Sequence, residues 1–119
     1  MNKQLLLSDT ILLLEYNQQL ESIFQKIKET GEVADFFTVV KPFADQVRDV
    51  LESWEKNVLK WIALEKPKYF YKQQVDNLIE NITTVSIQAF FPDTKGKKFK
   101  ELIRSNQYTL EMIKGKLSP

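Results

Sequence analysis

Two stretches of the chain combine lysines with aromatic residues, the residue types that contact phosphates and stack on bases. Residues 65–77 read EKPKYFYKQQVDN, and residues 94–104 read TKGKKFKELIR. Single-stranded nucleic acids bind to cationic grooves in which aromatic side chains stack on successive bases. The candidate binding residues are Lys66, Lys68, Tyr69, Phe70, Tyr71, Lys72, Lys97, Lys98 and Lys100.

The first stretch also has a structural interpretation, which we favour. Pro67 ends one apolar helical stripe, and the next stripe begins a few residues later. Three aromatic residues in so short a connection cannot all face water at low cost. We expect Tyr69 or Phe70 to pack between the helix ends, while Lys66 and Lys68 extend into solvent. Replacing Tyr69 or Phe70 by alanine is then expected to weaken the domain strongly.

Geometry argues against one groove that joins both stretches. The first stretch begins the third predicted helix and the second follows its end, and a helix of about 20 residues is about 30 Å long. The two groups of lysines are therefore expected at opposite ends of the molecule. The chain also has only two arginines, and arginine is the better bidentate ligand for phosphate. Weak binding of nucleic acid through the basic C-terminal half is accordingly our alternative function.

The amino-acid composition excludes many catalytic mechanisms. The 119 residues include no cysteine and no histidine, so thiolate and imidazole nucleophiles, bases and metal ligands are absent. Asp45, Asp49 and Glu52 share one helix face, an arrangement that suits a hard cation such as calcium or magnesium. Arg48 and Lys56 lie beside them and favour a solvated face instead. We expect no catalytic residue, no metal site and no cofactor.

The two halves of the chain carry opposite net charge. Residues 1–65 contain 7 basic and 11 acidic residues, whereas residues 66–119 contain 10 basic and 5 acidic residues. A basic surface for an acidic partner is one interpretation. We favour packing of the acidic half on the basic half, with self-complementary charge and only a small response of stability to salt.

Apolar residues recur at helical spacing along almost the whole chain, and no strand pattern competes. Short connections between such helices imply antiparallel neighbours. Residues 1–119 are therefore predicted to form one all-α domain, an antiparallel up-and-down four-helix bundle. The predicted helices span residues 3–29, 42–65, 71–90 and 96–117, with a short helical turn between the first two.

Residues that favour helix ends support these boundaries. Asp35 is placed to cap the short turn, and Gly31 to end the first helix in a left-handed conformation. Pro42 suits the first turn of the second helix, and Asp93 or Thr94 is placed to cap the fourth. The predicted core contains Leu13, Leu20, Ile23, Val50, Trp54, Trp61, Leu78, Ile82, Ile103 and Leu110.

Three polar residues fall in or near the apolar stripes. Asp9 is expected near a helix end or paired with a lysine or arginine of a neighbouring helix. Asn57 and Asn106 are expected to be half-exposed, with a buried asparagine that fixes helix register as the next interpretation.

The N-terminal run of leucines does not resemble a signal peptide or a membrane span. Ser8, Asp9 and Thr10 divide the run and Glu15 closes it. A membrane helix requires about 18 or more apolar residues in succession. We therefore expect a cytosolic protein without a membrane contact.

Three motifs resemble a known family. DFFTVVKP at 35–42, KPKYFYK at 66–72, and KKFKELI followed by QYTL at 97–110 are similar to the YppE-like family of Firmicutes, small helical domains of unknown function. The resemblance covers nearly the whole chain. It implies a four-helix bundle and carries no catalytic residue with it.

The function that we favour is a non-catalytic interaction module that binds another protein. The absence of the usual catalytic residue types and the bulky aromatic residues near the helix ends motivate this interpretation. The identity of the partner, and the choice between a monomer and a homodimer, stay open at this stage.

Overall fold

Four α-helices and one helical turn make up most of residues 2–119, the part of the chain that the computed structural model describes. No strand is present within that range. A single π-helical turn, Phe36–Val40, precedes the second helix without a break and is called the π-turn below. The helices are α1 (Lys3–Thr30), α2 (Lys41–Glu65), α3 (Lys72–Gln88) and α4 (Gly96–Leu117). Their predicted boundaries are confirmed to within two residues.

Local hydrogen bonds explain where the helices begin and end. The Asn2 side chain accepts a hydrogen bond from the backbone N–H of Leu5 at 2.9 Å and caps α1. Gly31 ends α1 with φ 69°, a left-handed conformation that suits glycine, and its N–H donates to the Ile27 carbonyl. Pro42 occupies the first turn of α2, as predicted.

Each helix packs mainly on two of the other three helices. Helix α1 lies against α2 and α4, while α3 lies against the same two helices from the other side. Direct contact across the diagonal between α1 and α3 is slight. The predicted antiparallel up-and-down bundle is therefore confirmed.

The core runs the length of the bundle in two clusters. One surrounds Trp54, Trp61 and Phe70, and the other surrounds Phe24 and Phe99, whose rings stack with centroids 4.1 Å apart. Eight of the ten predicted core residues are buried; Ile23 and Val50 are half-buried and pack on the edges of the core. The eight are Leu13, Leu20, Trp54, Trp61, Leu78, Ile82, Ile103 and Leu110.

Two asparagines form a polar layer inside the bundle. The Asn17 side chain donates to the Ile103 carbonyl at 3.0 Å, and its own oxygen accepts from Asn106 Nδ2 at 3.2 Å. Asn106 is fully buried, and its Oδ1 has no donor within residues 2–119. The expectation of a half-exposed Asn106 is wrong, because the partner on α1 allows burial of the amide.

The other two polar residues in the stripes are also buried. Asp9 accepts a short hydrogen bond from the Ser53 hydroxyl, 2.6 Å long, rather than pairing with a cation. Asn57 accepts from the Asn2 backbone at 3.2 Å and donates to the Ser53 carbonyl, so the expectation of half-exposure is wrong here too. The hydrogen bonds from Ser53 to Asp9 and from Asn2 to Asn57 join the start of α1 to α2. The buried polar side chains there therefore have hydrogen-bond partners.

The ion pairs do not join the two halves of the chain. Lys3 pairs with Glu65, and Lys41 and Arg48 both pair with Asp45, all within residues 1–65. The fourth pair, between Lys72 and Asp76, lies within residues 66–119. The halves do pack on each other, but none of the ion pairs among residues 2–119 joins them. The expectation that opposite charges pair across the two halves is therefore wrong for these ion pairs. The excess positive charge of the second half therefore stays at the surface.

Candidate functional site

The three aromatic residues after Pro67 have different environments. Phe70 is only 1% exposed and packs against Trp61, with ring centroids 5.9 Å apart. Tyr69 and Tyr71 are 76% and 64% exposed. The prediction that Tyr69 or Phe70 closes the core is confirmed through Phe70. Because Phe70 is buried, its prediction as a binding residue is wrong. Tyr69 lies outside the core, so the strong destabilisation predicted for its replacement by alanine loses its basis.

The backbone turns sharply on both sides of Pro67. Lys66 ends α2 with φ 45°, and its N–H donates to the Ile62 carbonyl. Tyr69 has φ 63°, the left-handed region that a bulky side chain rarely adopts. The chain enters α3 at Tyr71, whose N–H donates to the Gln74 side chain at 2.8 Å. These turns bring Phe70 inward and direct the chain back along the bundle.

Several lysines surround these tyrosines. Lys66, Lys68 and Lys72 are exposed, and Lys72 is paired with Asp76 at 3.0 Å. The last turn of α4 reaches the same end, because Leu117 packs on the core cluster that contains Phe70. We call this end of the bundle the tyrosine end: residues 64–72, the first turn of α1 and residues 114–117 of α4. Its basic residues are Lys3, Lys66, Lys68, Lys72, Lys114 and Lys116.

The second group of lysines lies at the opposite end, as predicted. Lys97, Lys98 and Lys100 are exposed in the first two turns of α4, and the bundle is 46 Å long. Neither candidate cap holds this helix start: Thr94 donates its hydroxyl to the Gln88 carbonyl, and the residue that precedes the helix is Lys95. The predicted cap is therefore wrong. The two groups of lysines do not form one site.

An apolar surface at the same end of the bundle as Lys97 was not predicted from the sequence. Val33, Phe36, Phe37, Val39 and Ile87 are all exposed, and we call this set the phenylalanine surface. The rings of Phe36 and Phe37 meet edge to face with centroids 5.2 Å apart, and Phe37 is 75% exposed. The motif DFFTVV is rich in apolar residues, but the sequence predicts only a short helical turn there and does not show which of its side chains face solvent.

The π-turn holds this surface in place. The hydrogen bond that defines the π-helix spans five residues: the N–H of Val40 donates to the Asp35 carbonyl at 3.2 Å. Asp35 caps the turn as predicted, its side chain accepting from the Thr38 N–H at 2.9 Å. That backbone hydrogen bond holds the pKa of Asp35 below its usual value. Val40 alone points into the core, so the two phenylalanines are left outside. Single π-turns occur frequently at functional sites.

A groove beside the phenylalanine surface runs between α2 and α3. It has a volume of about 380 Å³, and its walls are mainly apolar and include Phe36 from the π-turn and Ile87 from α3. Its charged rim belongs to α2, where Asp45 lies 2.9 Å from Lys41 and 3.3 Å from Arg48. The hydrogen bond from Lys41, followed by the charges of both cations, lowers the pKa of Asp45. One carboxylate therefore faces two cations.

Within residues 2–119, no three acidic side chains gather as a group that holds a metal ion. In the same range, none of the helices has the length and apolar character required to cross a bilayer.

Comparison with known proteins identifies relatives that match this chain along almost their whole length. The chain is 26% identical to the uncharacterized protein YppE of Bacillus subtilis (strain 168) over 118 residues, which covers 99% of this chain and 96% of YppE. The crystal structure of B. subtilis YppE matches at 27% identity with a TM-score of 0.91, covering 97% of this chain and 94% of that one.

Two further crystal structures share the fold. One is a protein of unknown function from Listeria innocua, with 24% identity and a TM-score of 0.92, covering 97% of this chain and 92% of that chain. The other is a domain from Staphylococcus aureus, with 23% identity and a TM-score of 0.91, covering 99% and 100%. The model of one bacterial family matches residues 10–117. The chain therefore belongs to DUF1798, a family of bacterial domains of unknown function.

Proposed function

We propose that this protein is a non-catalytic module of the cytosol that binds an amphipathic helix of another protein. The helix would lie in the groove between α2 and α3 and cover the phenylalanine surface. The exposed phenylalanine surface is the observation that carries the proposal. The lack of histidine and cysteine supports the non-catalytic part.

The phenylalanine surface favours binding because Phe36 contacts Phe37 and lines the same groove as Ile87. Single exposed apolar side chains are common, whereas an exposed apolar patch with a polar rim is typical of an interaction site. Aromatic residues are enriched at protein interfaces and carry much of the binding free energy. Phe36 and Phe37 contact each other outside the core, so a partner can bury both rings without rearranging the bundle.

The shape and charge of the groove favour an acidic helix. Two antiparallel helices leave a long trough between them, and a third helix fills such a trough through apolar residues at i, i+3, i+4 and i+7. Along its rim, Lys41 and Arg48 share one carboxylate, that of Asp45. The rim therefore keeps one positive charge in excess, which an acidic residue of the helix would neutralise.

Two synthetic helical peptides test this proposal. Both carry leucines at i, i+3, i+4 and i+7; the rim positions of one are glutamate and those of the other are lysine. Amide chemical shifts of the isotope-labelled protein are followed during titration with each peptide. We expect the glutamate peptide to shift residues 36–51 and 83–87, and to bind at least tenfold more tightly than the lysine peptide.

Phe37→Ser is the test variant, and Tyr108→Ser is its matched control. Tyr108 is 73% exposed on α4, so the two changes remove similarly exposed aromatic rings. We expect Phe37→Ser to abolish binding of the glutamate peptide and Tyr108→Ser to leave it unchanged. Equal binding of both peptides, shifts that map elsewhere, or no effect of Phe37→Ser contradicts the proposal. So does concentration-dependent self-association that Phe37→Ser removes, because the surface would then bind a second copy.

A further inference from the structure

The left-handed backbone of Tyr69 turns Phe70 into the core, but the side chain of Tyr69 itself has no role inside the domain. Its φ of 63° suits glycine, and its ring is 76% exposed. A tyrosine at such a position strains the backbone and gains little burial in return. Residues held in sparsely populated conformations cluster at ligand-binding sites. The tyrosine end therefore differs from an ordinary solvated connection.

Tyr71 presents a second ring from the same short connection. The buried Phe70 lies between the two tyrosines and fixes the segment to the core through Trp61. Both ends of the connection are also held, by the Lys66 bond to Ile62 and by the Tyr71 bond to Gln74. Because the backbone is already ordered, a ligand that contacts both rings loses little affinity to ordering of the loop.

Positive charge accompanies the two rings. The carboxylates of Glu65 and Asp76 are already paired, with Lys3 at 2.9 Å and with Lys72 at 3.0 Å. Within residues 2–119, Lys66 and Lys68 form no ion pair. The exposed Lys114 and Lys116 add to the charge of this end without an acidic neighbour in the last turn of α4.

We propose that the tyrosine end binds single-stranded nucleic acid, with bases stacked on Tyr69 and Tyr71 and phosphates contacted by Lys66 and Lys68. Stacking on aromatic rings together with lysine–phosphate contacts is the general mode of sequence-tolerant single-strand binding. The inference is independent of the proposed helix-binding groove, which lies at the other end of the bundle.

An anionic membrane is the competing partner of similar charge. Interfacial binding requires a helix with a continuous apolar face. The tyrosine end instead offers the ends of helices, with Leu5 and Leu64 as its exposed aliphatic side chains. Two flat phenol rings match nucleobases better than they match hydrocarbon.

Fluorescence anisotropy of a labelled oligothymidylate, measured at several low salt concentrations, tests the proposal. We expect measurable binding that weakens with salt. Lys66→Gln with Lys68→Gln should reduce the slope of log affinity against log salt by about 1.4, since each phosphate contact contributes about 0.7 on single strands. Tyr69→Gly should weaken binding about fivefold or more, the effect of losing one stacked base.

Tyr69→Gly also separates binding from folding. Glycine relieves the left-handed backbone, so this variant should unfold at the same temperature as the unmodified protein or higher while it loses affinity. Tyr108→Ser is again the control and should leave oligonucleotide affinity unchanged. Absence of oligonucleotide binding at low salt overturns the proposal. Equal losses for Tyr69→Gly and Tyr108→Ser, or tighter binding to phosphatidylglycerol vesicles than to the oligonucleotide, overturn it as well.

Discussion

Alanine substitution at Tyr69, Phe70 and Tyr71, one at a time, distinguishes a core residue from its exposed neighbours. Phe70 is 1% exposed and packs on Trp61 at the end of the core. Removal of a buried phenylalanine side chain costs about 3–5 kcal/mol of unfolding free energy. Exposed side chains without special roles change it by about 0.5 kcal/mol or less. We therefore expect a large effect at Phe70 and small effects at Tyr69 and Tyr71.

The size of the protein converts this loss into a temperature. The entropy of unfolding is about 2.1 cal/mol/K per residue near 60 °C, or about 0.25 kcal/mol/K for 119 residues. A loss of about 3–5 kcal/mol then lowers the unfolding temperature by about 12–20 °C. The two tyrosine variants should stay within about 2 °C of the unmodified protein.

Thermal unfolding followed by far-ultraviolet circular dichroism is the appropriate assay. Tryptophan fluorescence is less suitable, because Trp61 contacts Phe70 and its emission would change even without a change in stability. Phe70→Leu is a useful fourth variant, since it keeps most of the buried volume and should recover part of the loss. If Phe70→Ala unfolds at the unmodified temperature, or if Tyr69→Ala is the variant that unfolds early, the assignment of Phe70 as the residue that closes the core is wrong.

Two further predictions concern polar residues. Asn17→Leu alone should destabilise the bundle by about 1–3 kcal/mol, because it leaves the buried Asn106 amide without its partner; Asn17→Leu with Asn106→Leu should be closer to neutral, and a double-mutant cycle in urea measures the difference. The lowered pKa of Asp35 means that its cap stabilises the fold above the unfolded-state pKa of about 3.9, and that this contribution is lost as the pH falls through the lower folded-state pKa. Asp35→Asn should accordingly show a smaller loss of stability between neutral and acidic pH, measured by urea unfolding.

The fold was predictable because helical periodicity is a strong signal over long segments. The details within each stripe were less so. On α1 the predicted core included Ile23, which lies at the edge of the buried face, but not Asn17 and Phe24, which are buried. A buried asparagine contradicts the apolar pattern, and only its partner on a distant helix explains it.

The candidate sites were harder to predict because they lie in connections. A one-turn segment such as residues 36–40 is too short for periodicity to decide which side chains face the core. The exposed Phe37 and the buried Val40 therefore look equivalent in the sequence. At residues 69–71, the left-handed backbone of Tyr69 turns the ring of Phe70 into the core. None of the residue types there is typical of that conformation, so it could not be predicted. The separation of the two lysine groups was predictable, because helix length alone determines it.

Site-specific photocrosslinking at position 37 tests the central proposal most directly. A benzophenone amino acid replaces Phe37 in one variant and the similarly exposed Tyr108 in another, both are irradiated in the living cell, and mass spectrometry identifies the crosslinked segments. We predict that position 37 yields an adduct with an acidic amphipathic helix of another protein, and that position 108 does not yield that adduct. Equal labelling at both positions, or an adduct at position 37 that is only a second copy of this chain, contradicts the account.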